Sequence, residues 1–164
     1  MNYKKIDMIA CPFCNKANYD YLMQSENFAV IYNISPILPG HILIIPKKHV
    51  ESLFELTDDE VAEFMLLGRD AAKLLTAVFD TDAFNWAIQE REAAGQSVAH
   101  LHMHLVPRII GDLVDPGNWF QELEKSASGD IDTYNRFQLS QQQLDELTTK
   151  MKTAAVQLNM NISI

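Results

Sequence analysis

Three histidines at alternate positions form the part of this sequence with the clearest chemical potential. They are His100, His102 and His104, and one apolar residue separates each from the next. Successive side chains of a β-strand point to opposite faces, so this spacing predicts that the histidines line one face while the apolar residues enter the core. Neighbouring histidines would then stand about 6.6 Å apart and the outer two about 13 Å apart.

This spacing limits what the three histidines can do together. A zinc–nitrogen bond is about 2.1 Å long, so one ion could bridge two neighbours but not the outer pair. At least two roles must therefore be shared among them. A neutral imidazole is a nucleophile towards phosphorus, and a neighbouring protonated imidazole can hold phosphate oxygens. Phosphoryl or nucleotidyl transfer needs both functions. The structural alternative is a polar strand face that happens to be rich in histidine.

The two cysteines of the chain, Cys11 and Cys14, lie in one Cys-Pro-Phe-Cys segment. A pair this close cannot cross-link distant parts of a fold, so it indicates metal binding or redox chemistry. Zinc would need two further ligands, for which the histidines are the candidates. A reduced, metal-free pair and a redox pair are the alternatives.

The histidine segment, continued to Val106, resembles the signature of the histidine triad (HIT) superfamily of nucleotide hydrolases and transferases, His-x-His-x-His-x-x with apolar x. Other segments similar to this family are Asn33–Pro36, Pro39–His41, Ile45–His49, Gly95–Val98 and Pro107–Arg108. The resemblance covers residues 11–108, and the C-terminal third matches loosely. Asn33 and Gln89 favour the fragile-histidine-triad and dinucleoside polyphosphate hydrolase branch, because the purine phosphoramidase branch usually has aspartate and asparagine at these positions.

The resemblance implies a role for each of these residues. His102 would attack the α-phosphorus of a nucleotide ester and form a nucleotidyl-histidine that water cleaves. His104 would hydrogen-bond the phosphate and help the leaving group depart, and Gln89 would contact the phosphate chain or orient the water. The substrate-binding set implied is Asn33 at the ribose, Ile34 near the base, and Gln89, Gly95, Gln96, Ser97 and His104 at the phosphates.

Several of these residues also have a purely structural interpretation. Asn33 could be only a turn residue, Ile34 could belong to the core, and Ser97 could merely begin a strand. His41 is expected to be structural. Arg91 lies in a charged stretch where the hydrolase branch often has a glycine-containing sequence, and it could meet a distal phosphate or be a solvated surface residue.

The resemblance also implies a metal site. In some bacterial triad proteins, and in the related uridylyltransferases, a Cys-x-x-Cys pair, a histidine after the second strand and the first triad histidine form a tetrahedral zinc site. The corresponding ligands here are Cys11, Cys14, His49 and His100. Four protein ligands close the coordination shell, so this zinc would be structural.

The elements that position these residues follow from the periodicity of apolar residues. Strands are predicted at residues 28–34, 41–45, 84–89 and 99–106, the first two as an antiparallel hairpin. Thr57 and Glu60 form a capping box that begins a helix of about six turns. A short helix is predicted at 119–123, and Ser140 caps a final helix. This order predicts an α+β domain with an antiparallel sheet, one long helix and a C-terminal helix.

Length, composition and charge set the remaining limits. The chain has 164 residues, of which 48% are hydrophobic and 21% charged, as in one ordinary globular domain. We divide it into a zinc-binding segment (1–27), a core with the histidine strand (28–108) and a C-terminal extension (109–164). A net charge of −9 argues against binding of long nucleic acid through its phosphates. No apolar run is long enough for a membrane span, and no signal-peptide pattern begins the chain, so a cytoplasmic protein is expected.

The predicted function is hydrolysis of dinucleoside polyphosphates with release of AMP. Three alternatives are open: a purine nucleoside phosphoramidase, a nucleotide-binding module with little turnover, and a hydrolase in which His102 and His104 bind a catalytic zinc. The last lacks a convincing third ligand in the sequence. The resemblance further implies a homodimer, in which Trp119 and Phe120 either serve the interface or pack on their own domain.

Overall fold

The computed structural model describes residues 11–15, 20–121, 139–158 and 160. Its strands are β1 (Met23–Gln24), β2 (Phe28–Tyr32), β3 (Ile42–Pro46), β4 (Ala83–Ile88) and β5 (Met103–Arg108), and its helices are α1 (Asp58–Phe79) and α2 (Gln141–Gln157). The strands form one antiparallel sheet in the order β1-β2-β3-β5-β4. Helix α1 packs on β2, β3 and β5, and α2 packs on α1. The predicted α+β class, with its two helices, is confirmed.

The hairpin of β2 and β3 forms the middle of the sheet. Both strands are rich in aliphatic residues and buried along their whole length, which suits strands covered on both faces. Their register pairs Phe28 with Pro46 and Tyr32 with Ile42. The predicted first strand is two residues too long, because Asn33 and Ile34 already belong to the connecting turn.

Helix α1 begins as the sequence predicts. Thr57 Oγ1 accepts a hydrogen bond from Glu60 N–H at 3.3 Å, and Glu60 Oε2 accepts one from Thr57 N–H at 2.9 Å. The buried side of the helix includes Phe64, whose ring centroid lies 5.0 Å from that of Phe28 on β2. Gly68 faces β5, where a Cβ would come within 2.6 Å of Met103 Cε. This glycine therefore sets how closely the helix approaches the sheet.

The histidine strand begins later than predicted. Strand β5 starts at Met103, so only His104 of the three histidines lies within regular strand. The residues just before β5 do not pair with β3 or β4. Leu101 N–H instead donates to Val50 O at 2.6 Å. The alternation of faces nevertheless persists, because Leu101, Met103 and Leu105 all enter the core beneath α1.

The final helix begins where the sequence predicts it. Ser140 and Gln143 form the capping box of α2, which buries Met151, Ala154 and Ala155. Of the short helix predicted at 119–123, residue 119 lies in a turn and residues 120 and 121 are helical. Residues 122 and 123 lie outside the described residues. No helix among the described residues is long and apolar enough to cross a membrane.

Candidate active site and metal centre

The side of the sheet opposite the helices carries the histidines. His104 on β5 pairs with Leu43 on β3 and with Ala87 on β4, and directly paired residues project to the same face. The N-terminal segment covers this face through Phe13, which packs on a small cluster that includes Leu43. The Phe13 ring centroid lies 5.6 Å from that of His100 and 5.4 Å from that of His102.

The four predicted metal ligands lie together. One donor atom from each of Cys11, Cys14, His49 and His100 falls within 4.8 Å of all the others. The sulfur–nitrogen distances are 3.5 Å for Cys11–His100, 3.3 Å for Cys14–His49 and 3.6 Å for Cys14–His100. Tetrahedral zinc with ordinary bond lengths separates a sulfur from a nitrogen ligand by about 3.6 Å. The donor set and its spacing therefore fit zinc.

Hydrogen bonding and burial prepare these donors for a metal. His100 Nε2 donates to Pro46 O at 2.9 Å, which leaves the lone pair of Nδ1 directed at the thiols. Burial lowers the pKa of His100 to about 4, so its ring is neutral at pH 7. Burial, together with the neighbouring Cys11, raises the pKa of the Cys14 thiol to about 11. Metal binding would therefore release a proton from this thiol.

Hydrogen bonding and burial hold His102 as a neutral ring. Its Nδ1 lies 2.8 Å from His100 O, and since a carbonyl oxygen only accepts, the proton must be on Nδ1. Nε2 then carries the lone pair. Burial lowers the pKa of His102, and its side chain is almost fully buried. A ring of this kind needs no prior deprotonation to attack phosphorus.

His104 has a partner that the sequence did not assign to the site. Its ring centroid lies 4.9 Å from that of His102, and its Nδ1 lies 2.9 Å from Nε2 of His41. His41 is fully buried, and its Nδ1 accepts a hydrogen bond from Ile37 N–H at 3.3 Å. His41 therefore carries its proton on Nε2 and donates it to His104 Nδ1.

No local signal in the sequence places His41 here. It comes next to His104 because β3 and β5 pair with Leu43 opposite His104, and His41 projects to the same face as Leu43. The register of that pairing joins segments about sixty residues apart.

The turn after β2 contains two of the predicted substrate-binding residues. Asn33 Oδ1 accepts a hydrogen bond from Ser35 N–H at 2.9 Å, so Asn33 does shape the turn. Its Nδ2 also lies 3.3 Å from Nε2 of His41, which places the side chain beside the histidine pair. Ile34 is 37% exposed, so it is not a core residue. Contacts of either residue with a substrate stay predictions.

The loop between β4 and β5 carries the remaining predicted phosphate contacts. The half-buried side chain of Gln89 lies against Gly95, where a Cβ would come within 3.0 Å of Gln89 Nε2. Gly95 has φ +83°. The N–H groups of Gly95 and Gln96 donate to Glu92 O at 2.9 Å and Arg91 O at 3.2 Å. They would have to exchange these partners to bind phosphate. Ser97 is exposed.

Arg91 adopts an unusual backbone conformation at the start of this loop. Its φ of 71° and ψ of 163° fall in a region that residues other than glycine enter at a cost of about 1–3 kcal/mol. Its guanidinium pairs with Glu51 and, at 3.8 Å, with Glu55. Arg91 is thus an ion-paired surface residue.

A cluster of three or more metal-binding side chains occurs once among the described residues, at Cys11, Cys14, His49 and His100. His102 and His104 take no part in it. Of the three alternate histidines, the first therefore belongs to the candidate metal centre and the other two to the candidate active site.

Comparison with known proteins gives consistent matches. The model of the HIT domain matches residues 15–109. A bis(5'-nucleosyl)-tetraphosphatase [asymmetrical] of Schizosaccharomyces pombe is 38% identical over 98 residues, which cover 60% of this chain and 54% of the relative. A bis(5'-adenosyl)-triphosphatase of Dictyostelium discoideum is 34% identical over 99 residues, which cover 60% of this chain and 66% of the relative. The chain thus spans about half to two thirds of the length of these curated relatives.

Two solved structures illustrate the structural similarity. A zinc-bound histidine triad family protein from Mycobacterium smegmatis is 27% identical with a TM-score of 0.68, and the match covers 92% of this chain and 96% of that one. A diadenosine triphosphate hydrolase from Plasmodium falciparum is 29% identical with a TM-score of 0.55, and the match covers 70% of this chain and 74% of that one.

Proposed function

The chain belongs to the HIT domain family, and from this premise we propose that it hydrolyses dinucleoside polyphosphates, such as diadenosine tri- or tetraphosphate, with release of AMP. Two relatives named as hydrolases of such nucleotides support the substrate class. One structural observation carries the proposal: the hydrogen bond from His102 Nδ1–H to His100 O leaves a neutral Nε2 lone pair beside the ring of His104.

The reaction follows from these two rings. His102 Nε2 attacks the α-phosphorus, an N–P bond forms, and the P–O bond to the rest of the polyphosphate breaks. His104 Nε2–H hydrogen-bonds the leaving phosphate oxygen and stabilises its negative charge. Water then attacks the phosphorus of the nucleotidyl-histidine, the N–P bond breaks, and one proton of the water passes to solvent. AMP leaves and His102 regains its Nε2 lone pair, so the reaction is a double displacement.

Other residues of the face would bind the substrate. Asn33 would hydrogen-bond the ribose, and the exposed Ile34 would pack near the base. Gln89 would contact the phosphate chain or orient the attacking water. Ser97 and the backbone N–H groups of Gly95 and Gln96 would lie along the phosphates. The position of Asn33 beside His41 and His104 supports a ribose site next to the reacting phosphate.

We also propose that Cys11, Cys14, His49 and His100 bind a structural zinc ion. The donor spacing and the zinc-bound relative support it. Zinc here would cross-link the N-terminal segment to the residues before β5, with no open position for a reactant. His100 would thereby be fixed, and its carbonyl group holds His102.

The chain is further proposed to form a homodimer in the cytoplasm. Strand β4 lies at an edge of the sheet, and an exposed strand edge is suited to pairing with a second copy. Trp86 on β4 is 39% exposed and Met65 on α1 is 46% exposed, which supports an apolar interface near that edge. Two cysteines that no disulfide joins suit a reducing compartment. Light scattering should give twice the chain mass, and a monomer mass would reject the dimer.

The experiment that tests the activity uses diadenosine triphosphate, diadenosine tetraphosphate and adenosine phosphoramidate, with products separated by chromatography. His102→Ala is the matched control. Cleavage of the dinucleotides to AMP by the native chain alone would support the proposal. Turnover of only the phosphoramidate would favour the phosphoramidase, and binding of AMP without any cleavage would favour a binding module. Activity that survives the removal of free metal would argue against a catalytic zinc at His102 and His104.

A further inference from the structure

We propose that Gln96 is a positioning residue whose side-chain amide fixes the orientation of the nucleophile His102, instead of a ligand of the substrate phosphates. Because this role concerns His102 in the hydrolysis, it rests on the proposed function. Three observations carry it: the contacts of the amide, the double restraint on one peptide group, and the position of that peptide next to His102.

The amide of Gln96 joins three segments of the chain. Its Oε1 accepts a hydrogen bond from Arg91 N–H at 2.6 Å. Its Nε2 donates to Glu51 O at 3.2 Å and to His100 O at 3.3 Å. A side-chain amide has two N–H donors, so both are engaged within the protein. A phosphate could gain them only if these bonds broke.

The peptide between His100 and Leu101 is held on both sides. Its carbonyl oxygen, His100 O, accepts from Gln96 Nε2. Its N–H group, on Leu101, donates to Val50 O at 2.6 Å. The segment that follows His49, which includes Val50 and Glu51, thus fixes this peptide directly through Val50 and indirectly through Gln96.

The same carbonyl oxygen orients His102. His100 O accepts from His102 Nδ1–H at 2.8 Å, and a carbonyl oxygen has two lone pairs, one for each of its donors. If the carbonyl swings, the ring of His102 turns with it and Nε2 changes direction. Attack on phosphorus requires the reacting atoms to be close and aligned, so Gln96 acts on the chemical step through the His100 carbonyl group.

The ion pairs of Arg91 hold the loop between β4 and β5 less firmly than the hydrogen bonds of Gln96 do. The guanidinium is more than half exposed, and exposed ion pairs contribute little in water. The two hydrogen bonds that Gln96 Nε2 donates are partly buried, and the Gln96 side chain is half-buried. The amide of Gln96 is therefore the group that holds the loop against Glu51 and His100.

The test compares Gln96→Met, which keeps the length of the side chain and removes its hydrogen bonds, with Gln96→Glu, which keeps an oxygen acceptor and loses both N–H donors. The exposed Gln142 on α2 provides the control, Gln142→Met. We expect both Gln96 variants to lower kcat for diadenosine triphosphate by about 10–100-fold, with KM and the Kd for AMP changed by less than about twofold. A phosphate ligand would instead raise KM and the AMP Kd while kcat stayed near the native value, and that result would overturn the role.

A second measurement is independent of turnover. In ¹⁵N NMR spectra of the ring nitrogens, native His102 should show one neutral tautomer with its proton on Nδ1, and Gln96→Met should show a mixture of tautomers. An unchanged His102 tautomer together with an unchanged kcat would refute the role of Gln96. If the native chain cleaves no dinucleotide, the proposed function fails, whereas the NMR comparison still decides whether Gln96 positions His102. Thermal unfolding of the two variants shows whether a change in kcat or in the His102 tautomer comes only from a loss of the folded state.

Discussion

His41 and His104 share a buried hydrogen bond, with His41 Nε2 2.9 Å from His104 Nδ1. Because Ile37 N–H donates to the other nitrogen of His41, the shared proton belongs to His41, and neutral His104 must carry its own proton on Nε2. The backbone thus sets opposite tautomers in two neighbouring rings. His102 presents a lone pair on Nε2 and His104 an N–H donor on Nε2. This suits the roles proposed for them, as nucleophile and as hydrogen-bond donor to the leaving oxygen.

Replacing His41 should therefore impair the chemical step. His41→Leu removes the donor to His104, and we expect kcat for diadenosine triphosphate to fall by about 10–100-fold. His41→Gln places an amide N–H near the former Nε2, so it should retain most of the activity. Steady-state kinetics with both variants, and thermal unfolding as a check on the fold, measure this. Equal losses in the two variants would show that His41 does not act through this hydrogen bond.

Replacing one metal ligand should weaken zinc binding and destabilise the N-terminal segment. The substitution leaves the side chains of His102 and His104 themselves unchanged. In Cys14→Ser we expect zinc content, measured by elemental mass spectrometry, to fall well below one ion per chain. The free energy of unfolding should fall by several kcal/mol, because structural zinc binding contributes to folding.

His102→Ala is the matched control for this prediction, since it removes a histidine that is not a ligand and should keep its zinc. Zinc binding that is equal in the native chain and in Cys14→Ser would contradict the proposed ligand set.

The sequence predicts local features of this fold better than its long-range contacts. The capping boxes of Thr57 and Ser140 each depend on a side chain and an N–H group three residues away, so local residue types suffice. The start of β5 depends on the bond from Leu101 N–H to Val50 O, about fifty residues distant, and periodicity alone could not reveal it. The two-residue strand β1 exists through its pairing with β2 and was missed.

In the candidate site, too, the sequence predicts local features better than long-range contacts. The alternate spacing of His100, His102 and His104 indicates their chemistry, and the family resemblance supplies the cysteine and histidine cluster that the structure brings together. The contact of His41 with His104 requires the register of β3 with β5. The bond from Gln96 to His100 O requires the loop to fold back on the residues after His49. Neither contact leaves a pattern in the residues near it.

Gly40 should resist substitution because its conformation and its surroundings both exclude a side chain. Its φ is +82°, and a Cβ would come within 2.6 Å of Phe79 Cε2 and of Pro107 Cγ. We expect Gly40→Ala to lower the free energy of unfolding by about 2–4 kcal/mol, the sum of backbone strain and overpacking.

Gly111 is the matched control, because its φ is +86° and, apart from its chain neighbours, no described residue has an atom within 4 Å of a Cβ built there. Gly111→Ala should cost only about 1 kcal/mol, from the backbone alone. Urea denaturation of both variants measures the difference, and equal costs would mean that the contacts with Phe79 and Pro107 relax freely.

Asp112 should make stability depend on pH through its pairing with Arg108 at the end of β5. The carboxylate accepts from Arg108 Nη2 at 2.7 Å and from Nε at 2.8 Å, and both side chains are mostly buried. The Arg108 guanidinium lowers the pKa of Asp112 from 3.8 to about 2. A carboxyl group with a lowered pKa in the folded state stabilises the fold above its unfolded pKa, and this contribution is lost as the pH falls from about 4 to about 2.

Asp112→Asn should therefore lower the free energy of unfolding by about 2 kcal/mol at pH 7. The native chain loses this stabilisation as Asp112 becomes protonated, so the two stabilities should converge as the pH approaches 2. Chemical denaturation at pH 7, 5 and 3 measures the gap, and Asp82→Asn, at an exposed position, should change stability by less than about 0.5 kcal/mol throughout. A gap between Asp112→Asn and the native chain that stays constant over this range would show that Asp112 stabilises the fold through packing and neutral hydrogen bonds, and not through its charge.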